Sequence, residues 1–166
     1  AIAWPKIPGS VFLPRPHRAY RADYGPRFYT EGIVDYEPPR LGPAFRMLVP
    51  AVDADGNEKP GIRLPEVAVP LATHTGWNPF DGKAGPPGAL ASMQGSFLAL
   101  PRTRAEREAS GDARLSIEER YPSRAEYVGR VAEAALGLVE GGCLLPRDAA
   151  PVISGAAAKW DALVGK

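Results

Sequence analysis

A chain of 166 residues with a formal charge of +1 is long enough for one domain that buries roughly 70% of its unfolded surface. It is too evenly charged for a dedicated nucleic-acid binder, which must neutralise many phosphates. One cysteine and two histidines exclude a disulfide framework and the usual His/Cys zinc site, and no apolar run approaches the roughly 18 residues that cross a bilayer.

Glycine and proline, 18 and 19 residues, exceed a fifth of the chain, against a usual share of about 12%. They are unevenly placed: residues 1–101 hold 16 of the prolines and 11 of the glycines. Proline lacks a backbone donor and is excluded from helix interiors and central strands. The expected fold is therefore α+β, with an irregular segment of few short strands over 1–101 and a helical segment over 102–166. Trp4, Phe12, Tyr20, Tyr24, Phe28, Tyr29, Phe45, Trp77, Phe80 and Phe97 give the first segment an aromatic load that disordered chains lack. It reads as ordered, and as needing something to pack against.

In chain order, Arg15 to Arg27 mixes arginine with His17, Tyr20 and Tyr24. Asp23, Glu31, Asp35 and Glu37 dilute its charge, so guanidinium–aromatic packing or ion pairing is expected rather than nucleic-acid stacking. His17, among three arginines, reads as a surface residue. Phe45–Val52 and Gly61–Leu71 read as the strands of a hairpin turned at Asp53–Asn57, where Asp55-Gly56 suits positive φ. Pro60, Pro65 and Pro70 mark the second strand as an edge or an interrupted one. The turn faintly resembles a calcium loop but carries Glu58 and Leu64 where that loop needs its glycine and bidentate glutamate.

His74 lies in the loop Ala72-Thr-His-Thr-Gly-Trp-Asn-Pro79, where histidine, threonine, tryptophan and asparagine suit a polar pocket. A general base there needs a partner within hydrogen-bond reach, which spacing does not supply. No serine sits in a G-x-S-x-G elbow. Ser96, the nearest, lacks both glycines and reads as a packed or capping hydroxyl. Glycine-rich phosphate loops are absent too.

Three matches to the capping box, Thr103/Glu106, Ser116/Glu119 and Ser123/Glu126, predict three helix starts. The first helix should end at Gly111, the second before Pro122. The third, Arg124 to Glu140, carries an apolar stripe of Tyr127, Val128, Val131, Ala134, Ala135, Leu138 and Val139. After Gly141-Gly142, with Cys143 as a small apolar filler, a last helix is expected, capped by Asp148 with Pro151 in its first turn. Its buried face would be Val152, Ile153, Ala156, Trp160, Leu163 and Val164, closing an antiparallel αα-hairpin.

Several runs, in order along most of the chain, resemble the C-terminal region of a family of large bacterial proteins, the alpha/beta-hydrolase domain proteins. They include Trp4–Gly9, Asp23–Phe28, Glu37–Arg40, Val49–Glu58, Gly61–Thr73, Thr75–Asn78, Gly95–Phe97, Arg102–Arg107 and Ser116–Arg124. The departure is His74, where the family ordinarily carries tyrosine, which counts against a catalytic histidine there. The resemblance implies a hydrolase core upstream in the same polypeptide, bearing the nucleophile elbow and triad, with this chain as one structural unit and a fragment of that larger protein. A start at Ala1 fits this, and equally a processed signal peptide, which leans the compartment toward periplasm or secretion; a single cysteine suits either side.

On this reading residues 1–101 wrap over that core and the loop 72–80 borders its pocket. Ester or amide substrate would then bind by way of His74, Thr75, Trp77, Asn78 and Arg63, with no catalytic residue, metal ligand or cofactor in this chain. Trp77 would supply apolar wall, Asn78 and Thr75 would orient a carbonyl, and Arg63 would meet a carboxylate or pair with Glu66. The alternative is a self-contained, non-enzymatic binding or interaction domain that needs no upstream partner.

Overall fold

A computed structural model describes residues 4–9, 19–46, 48, 50–80, 83, 85, 89–91 and 93–165. The architecture is mixed α+β: among the described residues, two small antiparallel sheets and six helices, with a helical C-terminal part. The chain divides into two compact units, residues 14–49 and residues 1–13 with 50–166.

In the smaller unit, β1 (Tyr20–Asp23) pairs antiparallel with β2 (Arg40–Ala44), Asp23 opposite Arg40, with a bulge between Tyr20 and Ala22. Between them, the single turn α1 (Phe28–Glu31) is held by Tyr24 stacked on Phe28 at 4.6 Å and by an ion pair of Arg27 with Asp35. Arg40 lies over the Tyr36 ring at 3.8 Å and Arg21 over Phe45 at 5.8 Å. The expected guanidinium–aromatic packing and ion pairing are both present. His17 lies outside the described residues.

The larger unit corrects the predicted hairpin. Asp53–Asn57 does turn, with Gly56 at φ 81° and the Asp53 carboxylate accepting from the Asp55 and Asn57 N–H groups. Among the described residues the flanks meet in one bridge, Val52 with Glu58. The second run is not a strand, because Pro65 sets the first turn of a short helix, α2 (Pro65–Ala68). The strands instead are β3 (Ala72–Thr75) and β4 (Ser96–Ala99), antiparallel, with His74 opposite Phe97.

Side chains occupy both edges of that two-stranded sheet. On β3, the fully buried Asn57 donates to the Ala72 carbonyl at 3.1 Å and accepts from the His74 N–H at 2.8 Å. On β4, the Arg114 guanidinium donates to the Leu98 and Ala99 carbonyls at 2.8 and 3.0 Å. Arg114 is 2% exposed, pairs with both Asp112 oxygens at 2.7 and 3.0 Å, and donates to Thr73 Oγ1 at 2.8 Å. Thr73 in turn donates to the Asp55 carbonyl, and Arg120 pairs with the Asp55 carboxylate.

The helices follow the sequence closely: α3 (Arg104–Ser110), α4 (Ile117–Arg120) and α5 (Arg124–Glu140). Thr103, Ser116 and Ser123 each accept from the N–H three residues on, and Gly111 closes α3 at φ 66°. Only Ser116/Glu119 forms the reciprocal box; Glu106 reaches back instead to the Arg102 N–H. The last helix, α6 (Pro146–Val164), begins earlier than predicted. Leu145 is its cap, because Pro146 already has the φ of a first helical residue. Asp148 falls in its first turn and Pro151 lies inside it. Cys143 is exposed at the connection rather than a filler, its thiol turned to the Gly141 carbonyl.

Helices α5 and α6 form the expected hairpin, burying Tyr127, Val131 and Ala135 from one and Ala149, Ala156 and Trp160 from the other. Leu71, Leu100, Ile117 and Tyr121 complete the core. Three aromatic rings occupy its centre: Tyr127 is stacked on Trp160 at 5.2 Å, and Tyr121 meets Tyr127 edge-on at 5.1 Å. Burial pushes both tyrosine hydroxyls up to about 12. Tyr121 donates to the Pro70 carbonyl, tying this core to the start of β3.

Candidate functional site

Of the predicted site residues, His74, Thr75, Trp77 and Asn78 stay together at the end of β3, and Arg63 goes elsewhere. The Thr75 hydroxyl donates to the Trp77 carbonyl and accepts from the Ser96 N–H at 3.0 Å. The Ser96 hydroxyl lies 3.0 Å from the Trp77 carbonyl and 3.2 Å from Asn78 Oδ1. It is a packed hydroxyl, as expected. The polar groups of Thr75 and Asn78 thus hold their own loop together, and the Trp77 ring lies 5.3 Å from Trp4. Arg63 pairs with Asp53 at 2.6 Å and donates to the Val67 carbonyl, not to Glu66. It braces the turn against α2.

His74 points to different company. Its backbone is fixed by Asn57, and its half-buried ring meets Phe97 edge-on at 5.3 Å. Lys159 of α6 sits over the same Phe97 ring, 5.8 Å from its centroid, and pairs with Glu66 of α2 at 2.5 Å. The grouping of Glu66, Lys159 and Phe97 around His74 is invisible in the sequence, because 93 residues separate the ion pair's two partners and no local pattern joins them.

Electrostatics follow from this placement. Burial lowers the His74 pKa; Glu66 opposes that shift and Lys159 adds to it. The Lys159 hydrogen bond holds the Glu66 carboxyl below its ordinary value, against some desolvation. The fold therefore favours a neutral imidazole, and the sign of its pH dependence is fixed. As pH falls through the ordinary histidine value of 6.5, the unfolded chain takes the proton first and stability declines toward the folded-state value. Glu66 acts in a lower window, below its ordinary 4.5. Urea midpoints at about pH 7.5 and 5.5 should fall further in the parent than in His74→Gln; equal falls would contradict the buried neutral ring.

Beside this cluster a groove of about 280 Å³ runs between α2, α5 and α6, floored by Tyr127, Val131 and Ala156, with Glu66 and Lys159 among its lining. A wider, open hollow of about 590 Å³ lies over Ala99, Leu100 and the buried Asp112–Arg114 pair. Neither holds a cluster of three metal-ligating side chains among the described residues. No helix among them is long and apolar enough to cross a membrane. The arrangement offers a neutral imidazole, an ion pair with spare hydrogen-bonding capacity and an apolar trough, which suit holding a small molecule.

No curated protein and no solved structure matches the chain. The family model described as the alpha/beta hydrolase domain matches residues 15–154. That span takes in both sheets, the His74 loop and all of α3 to α5, and the protein belongs to the alpha/beta hydrolase domain family.

Proposed function

We propose that this chain is the C-terminal accessory region of an alpha/beta hydrolase acting on esters or amides. It packs on a catalytic core upstream in the same polypeptide, borders its substrate pocket through the His74–Asn78 loop, and carries no triad of its own. The observation that carries this reading is the apolar surface of the smaller unit. Leu41 of β2 is 70% exposed, Tyr29 of α1 87% and Leu48, beyond the end of β2, 80%, in a unit whose sheet is a two-stranded ribbon, a form marginal in water unless another layer covers it. The absence of a G-x-S-x-G elbow from the sequence supports it, since the nucleophile then comes from elsewhere.

The test compares the 166-residue chain with the same chain joined to the coding sequence upstream, using p-nitrophenyl acetate. The accessory reading expects turnover only in the longer protein. Saturable turnover by the 166-residue chain, lost on His74→Gln, overturns it.

One observation favours a second reading, a self-contained binding domain: the larger unit has its own buried core, from Leu71 to Trp160. That reading expects a cooperative melt of the chain alone and no gain in stability from the upstream portion.

A further inference from the structure

We propose that the groove between α2, α5 and α6 is a binding site for small apolar amides, the hydrocarbon lying over Val131 and Ala156 and the amide group bridging Glu66 and Lys159. This site belongs to the chain itself, so the inference stands apart from the reading of the upstream core.

The first argument is what α6 places over the groove. Pro151, Gly155 and Lys159 follow one another at intervals of four along the lining face. Proline and glycine are the two residues least suited to a helix interior. Packing does not require the glycine, because a Cβ built at Gly155 would meet no atom within 4 Å. The trough stays open where a larger side chain would fit and would strengthen the helix.

The second argument is size. A dry cavity of about 150 Å³ accommodates benzene, so the 280 Å³ here suits a molecule of roughly 8–12 heavy atoms.

The third is the chemistry of the polar end. Lys159 donates to one Glu66 oxygen and, among the described residues, to no other acceptor; the second Glu66 oxygen receives no donor among them. The pair therefore offers free N–H donors beside a free acceptor. An amide presents the complement, a carbonyl for Lys159 and an N–H for Glu66, at no cost in added charge. A carboxylate would be repelled by Glu66 and an ammonium by Lys159, while an ester has no N–H to give.

The test titrates the 166-residue chain, labelled with ¹⁵N, with hexanamide, hexanoate and methyl pentanoate, which share a heavy-atom count and differ at the polar end. Hexanamide is expected to give saturable shifts of the Ala156 backbone amide with a Kd on the order of 1–10 mM. Hexanoate and the ester should bind about tenfold more weakly, the loss of one hydrogen bond to a charged group. Gly155→Leu should abolish the shifts while leaving the thermal midpoint equal or higher. Glu66→Met, on a partly exposed side chain, should erase the preference for amide over ester. Absence of saturable hexanamide binding, equal binding of hexanoate or of the ester, undiminished binding by Gly155→Leu, or an undiminished amide preference in Glu66→Met each overturns the proposal.

Discussion

Replacing Arg114 with methionine should destabilise the chain by about 3–5 kcal/mol, the cost of breaking a buried ion pair from one side. The guanidinium is 2% exposed and all five of its N–H groups are used, two on Asp112, one on Thr73 and two on the Leu98 and Ala99 carbonyls. Methionine fills much of the space but leaves the Asp112 carboxylate, 6% exposed, with no opposite charge. Removing one member of such a pair costs more than the pair contributes, because the survivor still bears its desolvation. The double substitution Arg114→Met/Asp112→Asn should therefore recover part of the loss. Its amide oxygen can still accept from the residue 114 N–H, as Asp112 Oδ1 does now. Urea titrations with unchanged slope and a lowered midpoint would register the effect. A loss under about 1 kcal/mol would mean that water replaces the guanidinium.

Asn57→Ala should cost about 2–6 kcal/mol, since two buried backbone groups lose their partner at about 1–3 kcal/mol each. The Asn57 side chain is an amide standing where a third strand's peptide would stand, donating to Ala72 and accepting from His74. Asn57→Asp gives a graded check. The carboxylate still accepts from the His74 N–H but cannot donate to the Ala72 carbonyl, so it should fall between parent and alanine variant. Equal stability of Asp and Ala forms would show that the accepting half contributes nothing.

The helical half was legible because its signals are local. A cap and its glutamate lie three residues apart, a stripe repeats within one helix, and Gly111 needs only its own φ of 66° to stop α3. The irregular half was read less well for the same reason. β1 and β2 carry Gly42, Pro43 and a bulge, so no alternation marks them. Pro65 interrupted the predicted second strand, and the residue that interrupts a strand also starts a helix. At the candidate site, the His74–Asn78 loop was found from its residue types. Its neighbours Glu66 and Lys159 were not, being brought together only by packing of α2 and α6 around the same core. Arg114 was missed altogether, since nothing in Asp112-Ala-Arg114 distinguishes a buried clamp from a surface turn.

The amide of Asn57 has one more consequence. A β-sheet with a bare margin invites strands from neighbouring molecules, and proteins commonly blunt such margins. Here the blunting on β3 is done by a single side chain, so its removal unmasks a template for intermolecular pairing as well as weakening the fold. Held below their melting temperatures, solutions of Asn57→Ala should turn cloudy at concentrations where folded Arg114→Met, with β3 still covered, stays clear.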